Sequence, residues 1–317
     1  MSRVVKYLWP GDPSLTEDNL ETQENKVFIV TGANTGLGKE LTKILYSKHA
    51  KVYMAARSEA KANAAMDEIR KLYPSSKGDL VYLQLHLDDL STIKKSADEF
   101  LAKEQRLDVL WNNAGVMVPP AGSTTAQGYE LQLGVNNIGT FLFTHFLSPV
   151  LAATARSRSR SAPENSVRVV WVSSDAAQGA PHPAIDFSNM NYKRGDESQW
   201  RKYERSKAGS ILHACEAARR SQREGTGVLH VSLNPGIFPT DLQRTMPGWQ
   251  ARLVKMIGKD PKYGGYTELF AGLHPSVENG AFVGPYGRLD NARKDLYDEA
   301  RGKKFWEWTE EQVRPYL

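Results

Sequence analysis

Short apolar runs alternate with longer amphipathic stretches along most of this chain. Lys26-Val27-Phe28-Ile29-Val30 reads as a buried strand, followed by a glycine-rich turn and a helix to about Lys48. The same rhythm predicts strands near 51–56, 80–86 and 107–113, with helices near 58–73 and 89–103. Two helices are expected over roughly 126–153, then a strand over 167–172, a helix near 199–220, a strand over 228–233 and a last short strand at 281–284. Strands that are apolar throughout, rather than alternating, belong to a parallel sheet covered on both faces. The expectation is therefore an α/β fold: a single-domain, Rossmann-type doubly wound parallel sheet with helices on both faces. Its body should span 26–290, preceded by a polar extension over 1–25 and followed by a helical tail over 291–317.

Two stretches break the rhythm. Arg156-Ser157-Arg158-Ser159-Arg160 is a short basic patch between a helix and a strand. It reads as a solvated loop, because nucleic-acid contact calls for more basic and aromatic support. The segment at about 236–259 carries Leu242, Met246, Trp249, Leu253, Met256 and Ile257. These residues suit either an ordinary packed helix pair or a lid whose apolar face covers a substrate.

Composition narrows the class. Of the 317 residues 40% are hydrophobic and 24% charged, which suits a globular chain and argues against wholesale disorder. One cysteine, Cys215, allows neither an internal disulfide nor a cysteine metal cluster. His145, His213 and His274 lack ligand spacing, so no metal is expected. The net charge of +5 is compatible with an anionic cofactor and decides nothing alone. No apolar run approaches the roughly 20 residues of a membrane span. The polar N-terminus, with Pro10 and Pro13, lacks the apolar block of a signal peptide, so a soluble, cytoplasmic protein is expected.

Four motifs carry candidate chemistry. Thr31-Gly32-Ala33-Asn34-Thr35-Gly36-Leu37-Gly38 follows the first strand and opens a helix. Its glycines let the backbone turn tightly and approach a pyrophosphate, and the helix N-terminus offers free N–H groups. An ordinary βα turn also uses glycine, but the G-x-x-x-G-x-G spacing is more discriminating. Where NAD enzymes place a carboxylate for the ribose 2′-hydroxyl, this chain has Ala55-Ala56-Arg57. Nothing there repels a 2′-phosphate, and Arg57 can bind one, so NADP(H) is expected over NAD(H). Asn112-Asn113-Ala114-Gly115 ends the fourth strand; its small residues let a ribose lie close. Finally, Tyr203 and Lys207 stand four apart on one helix face, where an ammonium can favour the phenolate of a group with an ordinary pKa of about 10. Taken alone, a Tyr-x-x-x-Lys is a chance-level pattern.

Together these features resemble the short-chain dehydrogenase/reductase family over roughly 26–290. The glycine turn, Asn-Asn-Ala-Gly, a strand-end serine, Tyr-x-x-x-Lys and Asn234-Pro235-Gly236 stand in the family's order. Arg57, Asn136-Asn137-Ile138-Gly139 and the long stretch before Tyr203 look most like the retinol-dehydrogenase-like, NADP-preferring branch. The resemblance implies a hydride moved to or from a carbonyl or alcohol carbon. Tyr203 would be the general acid in reduction and the base in oxidation, with Lys207 holding the nicotinamide ribose. Ser174 would bind the substrate oxygen, Ser173 being the fallback, and Asn136 would position a water in the proton relay. The cofactor shell would comprise Gly32, Asn34, Thr35, Gly36, Leu37, Gly38, Arg57, Asn113, Ala114, Gly115, Tyr203 and Lys207, then Pro235, Gly236, Phe238 and Thr240 at the nicotinamide end.

Two departures stand out. Where the family often has Asp-Leu after the third strand, His86-Leu87 aligns here, followed by Asp88-Asp89. Either Asp88 takes over the adenine contact, beside Leu87, or that end is held differently. The stretch from Ser174 to Tyr203 is also long, and its 181–199 portion, with Phe187, Met190 and Tyr192, is expected beside the active site. Trp171, Trp200 and the apolar segment after Gly236 point to an apolar carbonyl or alcohol substrate, retinoid-, steroid- or polyketide-like. Reduction is the expected direction, since cells keep NADPH largely reduced, and family members are commonly homo-oligomers. The alternatives on the same scaffold are a lyase or isomerase, or an NADP-binding regulatory protein.

Overall fold

The apolar runs become strands buried on both faces. The computed structural model describes residues 11–157, 166–239, 242 and 258–317. Within it lie β1 Val27–Thr31, β2 Lys51–Ala56, β3 Asp79–Gln84, β4 Val109–Asn112, β5 Arg168–Val172, β6 Leu229–Leu233, β7 Phe282–Gly284 and β8 Arg288–Asp290. They form one sheet in the order β3-β2-β1-β4-β5-β6-β7-β8. Every pairing is parallel except the last, β7 with β8. The chain winds outward one way from β1 and the other way from β4, so a crevice opens between their C-terminal ends, where such sheets bind ligands.

Seven helices cover the sheet among the described residues: α1 Gly36–Ser47, α2 Glu59–Leu72, α3 Leu90–Lys103, α4 Leu131–Arg156, α5 Gln199–Glu224, α6 Lys262–Leu273 and α7 Glu299–Val313. On one face α1, α2 and α6 pack Leu41, Met66 and Leu269 against Val30, Trp111 and Val231. On the other α3, α4, α5 and α7 pack Phe100, Phe141, Leu212 and Phe305 against Ile29, Leu110 and Trp171. Side-chain caps set several starts. Ser58 accepts from Lys61 N at 3.4 Å, Asp89 from Ser91 N at 3.1 Å and Ser198 from Arg201 N at 3.3 Å. Gly225, at φ 62°, ends α5 in the left-handed conformation that favours glycine.

α4 differs from expectation. It is one helix, not two, and contains a wide turn over Gly134–Gly139. Gly134 and Gly139, which look like breakers in the sequence, are packing glycines: a methyl at either would strike Thr125 or the Leu87 carbonyl. The merged helix, 26 residues long, is by length and composition apolar enough to cross a membrane, contrary to the expectation from single runs. Of its most apolar window, 61% is buried inside the protein, and a helix packed between the sheet and its neighbours is apolar over most of its surface.

Both ends of the described chain pack on this body. Leu20 is buried, Tyr266 donates to Glu17 at 2.7 Å, and His213 of α5 stacks on Phe305 of α7 at 4.4 Å. Most of the basic patch (158–160) and most of the expected substrate segment (240–241 and 243–257) lie outside the described residues.

Candidate active site

The crevice at the strand ends opens into a cavity of about 520 Å³. Its floor is the glycine turn. Gly32 adopts φ 69° and Gly36 φ 57°, both in the left-handed region, and Gly32 N donates to Ala55 O at 2.7 Å. Gly38 lies beneath the turn, where a Cβ would come within 2.5 Å of Asn113 Nδ2 and 2.9 Å of Gly32 O. Asn113 in turn donates to Thr31 O at 2.7 Å, while Thr31 Oγ1 accepts from Ala114 N at 2.8 Å. These bonds lock the ends of β1 and β4 together and leave the turn half-buried along the cavity. Asn34, Thr35, Gly36 and Leu37 line the cavity on one side, and Asn113, Ala114 and Gly115 on the other.

At the far end, Ala55, Ala56 and Arg57 line the wall, joined by Leu87 and Asp88 from beyond β3. Arg57 and Asp88 meet: Nη1 donates to Oδ2 at 3.3 Å, across partly exposed side chains. Ser58 and Lys61, which the motif reading passes over, line the same wall. Their signal was present, since the first turn of a helix after β2 projects toward that end. A nicotinamide dinucleotide fits these residues: a cradle that a Cβ would fill, then a guanidinium and an ammonium with one carboxylate close by.

At the opposite end, Ser174, Tyr203 and Lys207 share a wall. Tyr203 is 3% exposed, and burial pushes its phenol up to about 12, while a hydrogen bond with Ser174 pulls the other way. Lys207 Nζ stands 5.8 Å from the Tyr203 ring centroid and donates to Val172 O at 2.9 Å. The phenol is therefore raised by burial rather than lowered by the neighbouring cation as expected. Burial also holds Lys207 below the ordinary lysine value, opposed by the charge of Glu268. Of the two serines, Ser173 is committed elsewhere, its hydroxyl donating to Lys207 O at 2.7 Å. Both serines line the cavity, and the Ser174 hydroxyl is the one not taken by the Lys207 carbonyl.

Asn136 stands behind this wall, on the wide turn of α4. Its Nδ2 donates to Val116 O and to Ser206 Oγ, both at 3.0 Å, and its Oδ1 accepts from Val116 N at 2.8 Å. Asn137 Nδ2 donates to Ser206 O at 2.9 Å. The turn thus aims two asparagines at α5, one residue before Lys207. A Cβ on Gly115 would lie 3.1 Å from Asn136 Oδ1 and 3.5 Å from Lys207 Nζ, so these groups flank one spot.

Pro235, Gly236 and Phe238 close the cavity from the β6 side, with Ile237 and Leu242 alongside. Thr240 lies outside the described residues. The apolar part of the wall holds Met117, Leu131, Val135, Trp200, Ile237 and Leu242. Two expectations change here. Trp171 is fully buried in the sheet core beside His213 and His230, so of the two tryptophans only Trp200 reaches the cavity. The 181–199 excursion is clamped to α5, where Arg205 donates to Pro183 O at 2.8 Å and to both Glu197 oxygens at 2.7 and 2.6 Å. Its Met190 and Tyr192 line a separate small pocket with Leu133 and Ile185, and Phe187 packs on the core.

Known proteins resemble this chain over most of its length. A family model described as short chain dehydrogenase matches residues 26–184. A short-chain dehydrogenase/reductase of Emericella nidulans is 53% identical over 310 residues, covering 96% of this chain and 98% of that one. Another, of Phomopsis amygdali, is 48% identical and covers 98% of this chain and 96% of its own. Among solved structures, an uncharacterised protein of Mycobacterium paratuberculosis superposes with a TM-score of 0.74 at 26% identity, over 95% of this chain and 97% of that one. The chain belongs to the short-chain dehydrogenase/reductase family, whose members are oxidoreductases using a nicotinamide dinucleotide.

Proposed function

We propose that the protein is an NADPH-dependent reductase of a ketone or aldehyde on an apolar substrate, with Tyr203 as general acid. The observation that carries this reading is that Ser174, Tyr203 and Lys207 share one wall of the cavity, with Lys207 Nζ 5.8 Å from the Tyr203 ring centroid. A carbonyl oxygen seated between the two hydroxyls accepts a hydrogen bond from each. The phenol, kept protonated by burial, is then the proton donor as negative charge develops on that oxygen. Bound NADPH supplies the hydride. Lys207 is placed to bond ribose hydroxyls and to stabilise the phenolate that remains. Asn136 fixes the strand-end segment at Val116 to Ser206, which holds α5 and its Tyr–Lys pair in register with the cavity.

Support for NADP(H) comes from Arg57 and Lys61 at the end of the cavity where β2 finishes in Ala55-Ala56. Support for an apolar substrate comes from Met117, Leu131, Val135, Trp200 and Ile237 on the wall nearest Tyr203. The test is a panel of retinoid, steroid and polyketide-type carbonyl compounds, followed by the loss of NADPH absorbance, with wild type and Tyr203→Phe in parallel. Wild type is expected to consume one NADPH per product formed, and the variant to lose turnover while still binding NADPH. Retained turnover in the variant would reject Tyr203 as the acid, and product formed without NADPH loss would reject reduction.

A further inference from the structure

Two buried amide side chains stand four apart on α4, Gln132 in its first turn and Asn136 in the wide turn, 0% and 4% exposed. Each reaches the same two neighbours, the segment after β4 and the helix α5. Asn136 holds the Val116 backbone on one side and Ser206 Oγ on the other. One turn earlier, Gln132 Oε1 accepts from Val118 N at 3.0 Å, and Gln132 Nε2 donates to Gln199 O at 2.9 Å. Gln199 and Ser206 are seven apart, two turns of α5, so α4 grips both neighbours at two matched levels. The Asn136 level lies beside Gly115 and the Tyr–Lys pair. The Gln132 level takes no part in the proton transfer proposed above.

The residues next to its partners show what that level serves. Met117 precedes Val118 and Trp200 follows Gln199, and both side chains line the cavity, as do Leu131 and Val135 of α4 itself. Trp200 is 44% exposed, with its ring 5.6 Å from that of Tyr203. Gln132 is hidden from any ligand, yet it bonds the backbone beside a side chain on each of two facing walls.

The backbone it holds on the first wall is strained. Val118 adopts φ 47°, which is unfavourable for a β-branched residue and again for one that precedes a proline, here Pro119. Such a conformation persists only where its surroundings impose it. Without the Gln132 acceptor, Val118 is free to return to a negative φ and to carry Met117 with it. The amide cannot turn over to serve otherwise. Its nitrogen also donates to Glu130 Oε1 at 3.2 Å, while Glu130 Oε2 is fixed by Leu133 N at 2.9 Å. A flipped amide would set its NH₂ against the Val118 N–H and its oxygen against acceptors.

We propose that Gln132 is a positioning residue for substrate selection: it sets the separation of Met117 from Trp200, and so the width of the apolar substrate that reaches Tyr203. That a substrate occupies this end rests on the function proposed above; the two-sided grip does not.

The grip is tested on the full chain without turnover. Protein labelled with fluorotryptophan and methyl-¹³C methionine carries a reporter on each wall, assigned by loss of its resonance in Trp200→Phe or Met117→Leu. In Gln132→Leu both are expected to shift or broaden, while the reporters at Trp111 and Met54, buried in the core on the other face of the sheet, stay in place. Unmoved wall reporters, or shifts of equal size at Trp111 and Met54, overturn the proposal. If Gln132→Leu does not fold, Gln132→Glu decides. Its protonated carboxyl reproduces both hydrogen bonds, so the wall reporters should match wild type at low pH and move as it ionises; reporters that stay still across that range overturn the proposal equally. In ketone reduction, Gln132→Leu should raise KM for decalone about 10-fold and for the narrower cyclohexanone far less, with NADPH affinity within about 2-fold. An equal rise for both ketones overturns the selection role. If neither ketone is reduced by wild type, the proposed function fails and the reporters alone decide on Gln132.

Discussion

Replacing Arg57 by alanine probes cofactor choice most directly. Arg57 sits at the cavity end with 55% of its side chain exposed, 3.3 Å from Asp88, itself 31% exposed. An ion pair this accessible contributes about 0–1 kcal/mol, so Arg57 is free to turn toward a phosphate at little expense. Charge-assisted hydrogen bonds to a phosphate are worth about 1.5–3 kcal/mol, and exposure argues for the lower part of that range. Arg57→Ala should therefore weaken NADPH about 10- to 30-fold and leave NADH, which lacks the 2′-phosphate, within about 2-fold. Lys61 on the same wall should keep some residual preference. Asp88→Asn removes the competing carboxylate and should strengthen NADPH by up to about 5-fold. Fluorescence titration of both nucleotides at low and high salt measures all of this, and salt should erode the NADPH advantage in wild type. Equal weakening of NADPH and NADH by Arg57→Ala would refute the reasoning.

The remaining predictions concern stability and acidity. A methyl at Gly272 would overlap the Trp111 indole, which is fully buried and tied to Glu268 O; Gly272→Ala should destabilise by about 1–3 kcal/mol in urea unfolding, and an unshifted midpoint would contradict that packing. Burial pushes His213 and His230 down to about 3. Their folded values lie below the ordinary one of about 6.5, so the stability they contribute is whole above that pH and is lost as pH falls from there toward the folded value. From pH 7 to 5 each should cost about 1–2 kcal/mol, and a urea midpoint flat over that interval would show that these imidazoles are not held neutral.

Much of the fold was legible in the residues themselves. Uniformly apolar runs can be buried only by helices on both faces, so the parallel sheet and the positions of β1 to β6 follow from local pattern. So do the glycine turn and the Tyr203–Lys207 spacing, because a tight turn and one helical turn are local geometry. What local pattern lacks is depth and direction. β8 is three residues with a polar character and exists because Gly284 to Gly287 reverse the chain against β7. α4 was expected as two helices and is one; Gly134 and Gly139 serve packing, and the wide turn between them is what points Asn136 at Ser206.

The same division runs through the site. Sequence order already set Tyr203 apart from a chance Tyr-x-x-x-Lys as the candidate acid, and the absence of a carboxylate after β2 already made Arg57 the candidate phosphate contact. Only the tertiary structure could show that the Lys207 carbonyl captures the Ser173 hydroxyl and leaves that of Ser174. Only it could withdraw Trp171 and the 181–199 residues from the cavity, bring Asp88 to Arg57 and reverse the expected acidity of Tyr203 through burial. Glu268 makes the point most sharply. Its residue type and apolar neighbours are visible along the chain, but that its carboxylate ends fully buried, with no hydrogen-bond partner among the described residues, is decided by how α6 packs against the sheet.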